Sequence, residues 1–101
     1  MHFKYIGPDE EVFTEVFVNR LTKKVKVINY TDDFLDRAFG VKEDVTYQDV
    51  MEFFESRTFP RRRGDINEIL KVIGLKEYNA YKMCKILGGK KAEDGCRVEF
   101  L

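Results

Sequence analysis

Apolar residues recur at every second position in two short segments near the amino end of the chain. The segment VKVINY, residues 25–30, is rich in β-branched residues and is predicted to form a strand. A weaker alternation over residues 2–6 ends at Gly7–Pro8, a dipeptide that favours a turn. These patterns predict two strands of a small sheet.

Residues 11–20 fit two patterns. One is a helical face of apolar residues spaced three and four apart, and the other is a strand with β-branched residues at every second position. The helical face comprises Val12, Phe13, Val16, Phe17 and Leu21, and the strand pattern comprises Val12, Thr14, Val16 and Val18. We favour the strand, which a hairpin at residues 21–24 would join to the strand that follows.

From residue 31 onward the spacing of apolar residues becomes helical, and four short helices are predicted. Thr31 or Asp32 caps the first helix, over residues 33–39, and the glycine that follows is the expected stop. Thr46 begins the second helix, with Asp49 three residues later in a variant of the capping box.

The last two predicted helices are delimited by caps and glycines. The third starts within residues 60–65, carries an apolar stripe and ends at Gly74. Asn79 caps the fourth, which stops at Gly88–Gly89. Residues 96–101 are predicted to add a last strand to the amino-terminal sheet.

The length of 101 residues, 44% of them apolar, suits one hydrophobic core. Residues 1–101 are therefore predicted to form one α+β domain, with a small antiparallel meander of about three strands followed by four short helices. No apolar run reaches the roughly 20 residues of a membrane helix, and residues 1–11 do not resemble a signal peptide. We expect a cytoplasmic protein without membrane association, in which Cys84 and Cys96 are free thiols.

Charge is unevenly distributed, although the chain is neutral overall. Residues 1–55 contain 7 basic and 12 acidic residues, net −5, whereas residues 56–101 contain 11 and 6, net +5. The basic residues gather in three segments, 20–26, 57–63 and 82–91. This asymmetry permits binding of an anion or of a basic surface, and it equally permits attraction between the two halves of one fold.

The densest basic segment precedes the third predicted helix. Arginines at a helix amino terminus are unfavourable for the isolated helix, but with the free backbone N–H groups there they could hold a phosphate or a carboxylate. A neighbouring phenylalanine could stack on a base. The alternative is a solvated face whose arginines pair with the acids of residues 32–55. The predicted contact residues are Arg57, Phe59, Arg61, Arg62, Arg63, Lys82 and Lys85.

No catalytic or metal-binding pattern stands out in the sequence. The single histidine, His2, lies at the chain start, and neither cysteine has a histidine placed to activate it. Two cysteines and one histidine fall short of a zinc site. The segment GGKK, residues 88–91, lacks the GxxxxGK[ST] pattern of a phosphate-binding loop. We expect no enzyme, no cofactor and no metal.

Three segments carry a resemblance to a known group of proteins. NYTDDFLDRAFG (29–40), FFESRTFP (53–60) and DINEILKVIGL (65–75), followed by the GxxAED pattern at 89–94, resemble small uncharacterised proteins of Firmicutes phages and mobile elements. The arrangement of ESRTFPRRR (55–63) followed by ILKVIGL (69–75) also resembles a segment of some HipA-type kinases of toxin–antitoxin systems, outside their catalytic parts. The resemblance implies a mobile-element context, in which small proteins bind host machinery and include inhibitors of CRISPR effectors.

These observations lead to two hypotheses. The first is a non-catalytic interaction protein that binds and modulates or inhibits a larger host protein or nucleoprotein complex, as an anti-defence protein such as an anti-CRISPR would. The second is a nucleic-acid-binding regulator or toxin–antitoxin component that uses the arginine cluster at a helix amino terminus. Either charged half is a candidate for the contact surface.

Overall fold

A computed structural model describes all 101 residues and contains four strands and three helices. In chain order the elements are β1 (His2–Ile6), β2 (Val12–Val18), β3 (Val25–Asn29), α1 (Tyr47–Ser56), α2 (Ile66–Ile73), α3 (Ala80–Leu87) and β4 (Arg97–Phe100). The strands form one antiparallel sheet in the order β3-β2-β1-β4. The α+β class and the strand at the carboxyl end are confirmed, but the helices number three and not four.

The strand interpretation of residues 11–20 is confirmed, because β2 occupies a central place in the sheet. Thr14, Val16 and Val18 are all buried, as expected for β-branched residues on one face of a central strand. Phe17, which a helical face would have buried with them, lies on the opposite face and stacks on His2 at 4.2 Å between ring centroids. The alternation of β-branched residues at every second position therefore predicted the structure of this segment correctly, and the helical spacing did not.

Helices α1 and α3 cover one face of the sheet and form the core with it. Phe3 of β1 is fully buried, and its ring centroid lies 4.9 Å from that of Phe54 in α1. Tyr81 of α3 meets Phe100 of β4 edge to face, with 5.6 Å between centroids. Aromatic pairs of this kind contribute about 0.5–1.5 kcal/mol beyond the burial of their area.

The predicted helix caps of α1 and α3 are confirmed. Thr46 Oγ1 accepts a hydrogen bond from the Asp49 backbone N–H at 3.1 Å, and the Asp49 carboxylate accepts one from the Thr46 N–H at 2.8 Å. This is the capping box, which satisfies two of the free donors at the start of α1. Asn79 caps α3 in the same way by accepting from the Lys82 N–H. Gly88 ends α3 at a φ of 75°, the left-handed conformation that glycine adopts without strain.

The helix predicted over residues 33–39 is wrong, because this segment forms turns. Two of its backbone donors bond to side chains: the Ala38 N–H donates to Thr14 Oγ1 in β2 at 3.1 Å, and the Leu35 N–H donates to Asp33 Oδ1 at 2.9 Å. The Asp36 N–H donates to the Asp33 carbonyl at 3.0 Å, which is the bond of a turn and not the four-residue bond of an α-helix. Arg37 Nε reaches back to the Thr31 carbonyl at 2.8 Å. Anchoring to a buried threonine of the sheet has replaced the helical hydrogen bonds, and local pattern alone carries no signal for that.

Candidate binding surfaces

Arg57, one of the predicted contact residues, is an interior residue. It is 6% exposed, and its guanidinium donates to the carbonyl oxygens of Gly89 at 2.9 Å and Cys96 at 2.9 Å. It also forms a bidentate pair with Asp94, at 2.6 and 3.2 Å. These four hydrogen bonds tie the end of α1 to the segment that leads into β4. The structure therefore removes Arg57 from the surface available to a partner.

The remaining arginines of the predicted cluster are exposed, and two of the three lie over aromatic rings. The Arg61 guanidinium lies 4.4 Å from the ring centroid of Tyr78, and that of Arg63 lies 5.1 Å from the ring of Phe59. Because Arg63 covers Phe59, a base that stacked on this ring would have to displace the guanidinium. Arg62 is exposed and has no ion pair within 4.0 Å.

Helix α2 begins later than the sequence predicted, which changes the geometry of this cluster. The arginines lie in the turn before α2, whose first residue is Ile66, and not at its start. The residue at the amino terminus of the helix is Asp65, and its carboxylate accepts from Arg63 Nε at 2.6 Å. An acid thus already stands at the helix tip, where the dipole favours negative charge. Several arginines were expected to bind one external anion together with free N–H groups. Of these arginines, only Arg61 and Arg62 remain available to it.

The structure brings two of the three basic segments of the sequence together elsewhere. Arg20, in the β2–β3 turn, lies over the ring of Tyr81 in α3, with 5.1 Å from Cζ to the centroid. Lys85 Nζ lies 5.6 Å from the same centroid. Lys82, also a predicted contact residue, is exposed near the start of α3. The aromatic ring under Lys85, that of Tyr81, is not one of those under Arg61 and Arg63, which are Tyr78 and Phe59.

Next to Arg20 is a shallow groove of about 660 Å³, which we call the basic groove. Its charged lining residues are Arg20, Lys24 and Lys26, and no acidic residue lines it. The amino group of Met1 also lies there and donates to the Val18 carbonyl at 2.9 Å. Leu21, at the tip of the hairpin, is 95% exposed along this groove. The basic groove thus combines several cations with an apolar residue that contacts almost nothing in the chain itself.

The cations of this region are not neutralised by the protein. No carboxylate oxygen lies within 4.0 Å of the side-chain nitrogens of five residues at or beside the basic groove. These residues are Arg20, Lys23, Lys24, Lys26 and Lys85. Four of the five instead lie over aromatic rings, including Lys23, whose Nζ is 3.9 Å from the ring centroid of Tyr47. Such contacts hold a cation in place without cancelling its charge.

The sequence does contain a signal for this surface, which is the basic segment 20–26. The predicted contact residues, however, come mainly from residues 57–63. A run of positive charge at a hairpin turn is usually a solvated loop. Here the hairpin turn contacts α3 through Arg20 and Tyr81, which lie 61 residues apart in the sequence. Contacts of this length are not encoded in local spacing.

No group of three histidine, cysteine or acidic side chains is close enough to hold a metal ion. Cys84 and Cys96 are free and buried, and burial raises the pKa of the Cys84 thiol to about 12. A thiol with so high a pKa is a poor nucleophile, since the thiolate is the reactive form. No helix has the length and apolar character that crossing a membrane requires.

Comparisons with protein-family models, with curated proteins and with solved structures find no match to this chain. Evidence for a function therefore comes from the surfaces described above.

Proposed function

We propose that this protein acts by binding and not by catalysis, and that the basic groove contacts an anionic region of a larger partner. The partner is a host protein or a nucleoprotein complex, which the protein modulates or inhibits. Support for the proposal comes above all from one observation: Arg20 and Lys85 share one aromatic ring, and no carboxylate lies near either. The mobile-element resemblance suggests an anti-defence inhibitor, such as an anti-CRISPR, as the most specific form of the proposal.

Gathering like charges in one place costs free energy. Cations close together repel one another, and a fold gains by placing acids between them. This chain has as many acidic as basic residues, 18 of each, yet it leaves the basic groove without an acid. An external anion would supply the missing charge. Exposed Leu21 would add apolar contact at the same place.

A pull-down with charge-reversal variants tests this proposal. Purified protein is immobilised and exposed to bacterial lysate, with and without nuclease treatment. We expect wild-type protein to retain a specific partner, and K24E/K26E to lose it. The matched control is R61E/R62E, which changes the net charge by the same amount at exposed arginines outside the groove. Loss of the partner after nuclease treatment would identify nucleic acid as part of the bound surface.

Two results would contradict the proposal. One is that wild-type protein retains nothing specific. The other is that R61E/R62E loses the partner while K24E/K26E keeps it, which would return the contact to the turn before α2.

A nucleic-acid-binding regulator is the second candidate, and the absence of acids in the basic groove favours it as well. Gel shifts with duplex and single-stranded probes over a range of salt concentration would test it, because affinity for phosphates falls steeply with salt. If the groove binds the phosphates, the salt slope should fall by about 0.9 for each cation removed, as in K24A or K26A. If the arginine cluster binds them, R61A/R62A/R63A should flatten the slope. No shift at low salt would end this candidate.

A further inference from the structure

A second concave site lies at the other end of β2 and has the opposite charge. It is a cleft of about 360 Å³, which we call the acidic cleft. The β1–β2 turn contributes Asp9 and Glu11 to it, and the turns after β3 contribute Leu35 and Asp36. No lysine or arginine lines it.

Three carboxylates of the acidic cleft have no cationic partner. No basic nitrogen lies within 4.0 Å of Asp9, Glu11 or Asp36. A fourth lining carboxylate, Asp94, is already paired with the buried Arg57. These three carboxylates therefore give the cleft an unbalanced negative charge.

The floor of the acidic cleft carries a tyrosine hydroxyl without an oxygen or nitrogen partner. Tyr5 is only 9% exposed and lines the cleft. The hydroxyls of Tyr30 and Tyr78 donate to a carboxylate and to a backbone carbonyl, whereas that of Tyr5 makes no such bond. No side-chain polar atom of the molecule is both fully buried and unpartnered, so this hydroxyl opens into the cleft. Its one hydrogen-bonding neighbour is the thiol of Cys96, which is a weak partner. The guanidinium of Arg57 lies over the Tyr5 ring, 5.2 Å from the centroid, and is neutralised by its pairing with Asp94.

The spacing of the acids points to an organic cation. They are too far apart to form a metal site, because no three acidic, histidine or cysteine side chains of the chain come close enough to share an ion. A guanidinium, by contrast, has five N–H donors spread over a plane and can bond to several separate acceptors. Its aliphatic stem suits apolar walls, which Phe13 and the 93%-exposed Leu35 supply here.

We propose that the acidic cleft binds an arginine side chain of a partner protein. The free carboxylates of the cleft attract the guanidinium, and the Tyr5 hydroxyl oxygen accepts a hydrogen bond from it. Leu35 packs against the arginine stem at the rim. This assignment is independent of the basic groove, and either site can fail its test while the other passes.

The test is an NMR titration of the isotope-labelled full-length protein with a capped Gly-Gly-Arg-Gly-Gly peptide. We expect saturable shifts of the backbone amide signals of Asp9, Asp36 and Cys96. The same peptide with citrulline in place of arginine keeps the shape and loses the charge, and it should bind at least about tenfold more weakly, since bonds between ionised partners are roughly twice as strong as neutral ones.

Variants assign the binding to the cleft. E11Q/D36N removes two of its charges and should weaken binding about tenfold, whereas E43Q/D44N removes two exposed, unpaired acids outside the cleft and should leave affinity unchanged. Y5F removes only the hydroxyl and should weaken binding at least about fivefold, because a hydrogen bond to a charged group is lost. Y5F should lower the melting temperature only slightly, since the one partner of the hydroxyl within the chain is the weakly bonding thiol of Cys96.

Three outcomes would overturn the assignment. Equal affinity for the arginine and citrulline peptides would show that charge is not recognised. An E43Q/D44N effect as large as that of E11Q/D36N would show that only overall charge matters. The third is self-association of the wild-type protein in sedimentation that E11Q/D36N abolishes. It would identify the occupant of the cleft as a second copy of this chain and not as a different protein.

Discussion

Replacing Arg57 tests whether this arginine holds the fold together or contacts a partner. In Arg57→Met the aliphatic stem remains, but the carbonyls of Gly89 and Cys96 lose their donor and Asp94 loses its counterion. Each buried carbonyl left without a donor costs about 1–3 kcal/mol. The Asp94 side chain is 40% exposed, so water replaces part of what that carboxylate loses.

We expect Arg57→Met to lower the free energy of unfolding by about 3–5 kcal/mol, the range for removing one partner of a buried pair. The total free energy of unfolding of domains of this size is about 5–15 kcal/mol, so this loss is a large share of the stability. Asp94→Asn should cost less, about 1–2 kcal/mol, because the guanidinium keeps both carbonyls and an amide oxygen. Urea unfolding followed by circular dichroism measures each difference.

The matched control is Arg63→Met. Arg63 and Asp65 are also 2.6 Å apart, but both side chains are about half exposed, and such pairs contribute about 0–1 kcal/mol. If Arg57→Met costs no more than Arg63→Met, the structural role of Arg57 is refuted. Loss of partner binding in Arg57→Met with unchanged stability would refute it equally and restore Arg57 to the contact surface.

The same pair sets a dependence of stability on pH. The hydrogen bond from Arg57 lowers the pKa of Asp94 below its usual value. A carboxylate with a lowered pKa adds stability above the ordinary range near pH 4, and this contribution disappears as pH falls through the lowered pKa. The stability difference between wild type and Asp94→Asn should therefore be constant at neutral pH and shrink in acid. A difference that grows in acid would contradict the pairing.

Two further predictions follow from the segment around Gly89 and Cys84. Gly89→Ala should destabilise the protein by about 2–4 kcal/mol in urea unfolding, because a Cβ there would lie 2.7 Å from Val98 Cγ2 at a φ of +58°. Gly64→Ala, where nothing lies within 4 Å, should leave stability unchanged or raise it by up to about 1 kcal/mol, and equal losses in both variants would contradict the packing argument. Cys84, with its pKa raised to about 12, should react with iodoacetamide at pH 8 only after unfolding, and rapid labelling of the native protein would contradict its burial.

The parts of the fold that the sequence predicts well are those governed by neighbours in the chain. The capping box at Thr46 and Asp49, the Asn79 cap and the glycine stop at Gly88 all involve residues within four positions of each other, and all three are confirmed. The turn segment 33–39 has equally good helical signals. It fails to form a helix because a threonine 24 residues earlier takes one of its backbone donors.

The same distinction explains why the charged site was harder to predict than the fold. Arg57 and Arg61 are four residues apart and look alike in the sequence, yet one is 6% exposed and the other is exposed. The difference is made by Asp94, 37 residues after Arg57, which no local pattern associates with it. A run of basic residues therefore predicts that a charged region exists, while long-range contacts decide which of its members face a partner.

The two proposed sites lie at opposite ends of β2, and this placement restricts what kind of partner can occupy both. The strand has seven residues, so with a rise of about 3.3 Å per residue the acidic cleft and the basic groove are roughly 20 Å apart. A partner that fills both must present an anionic region and an exposed arginine at that separation. Nucleoprotein complexes have such surfaces, since basic side chains border the phosphates that they bind. In that case K24E/K26E and E11Q/D36N would each weaken binding to the complex, and the combined variant would show losses that add, because the sites share no residue and lie well beyond contact distance.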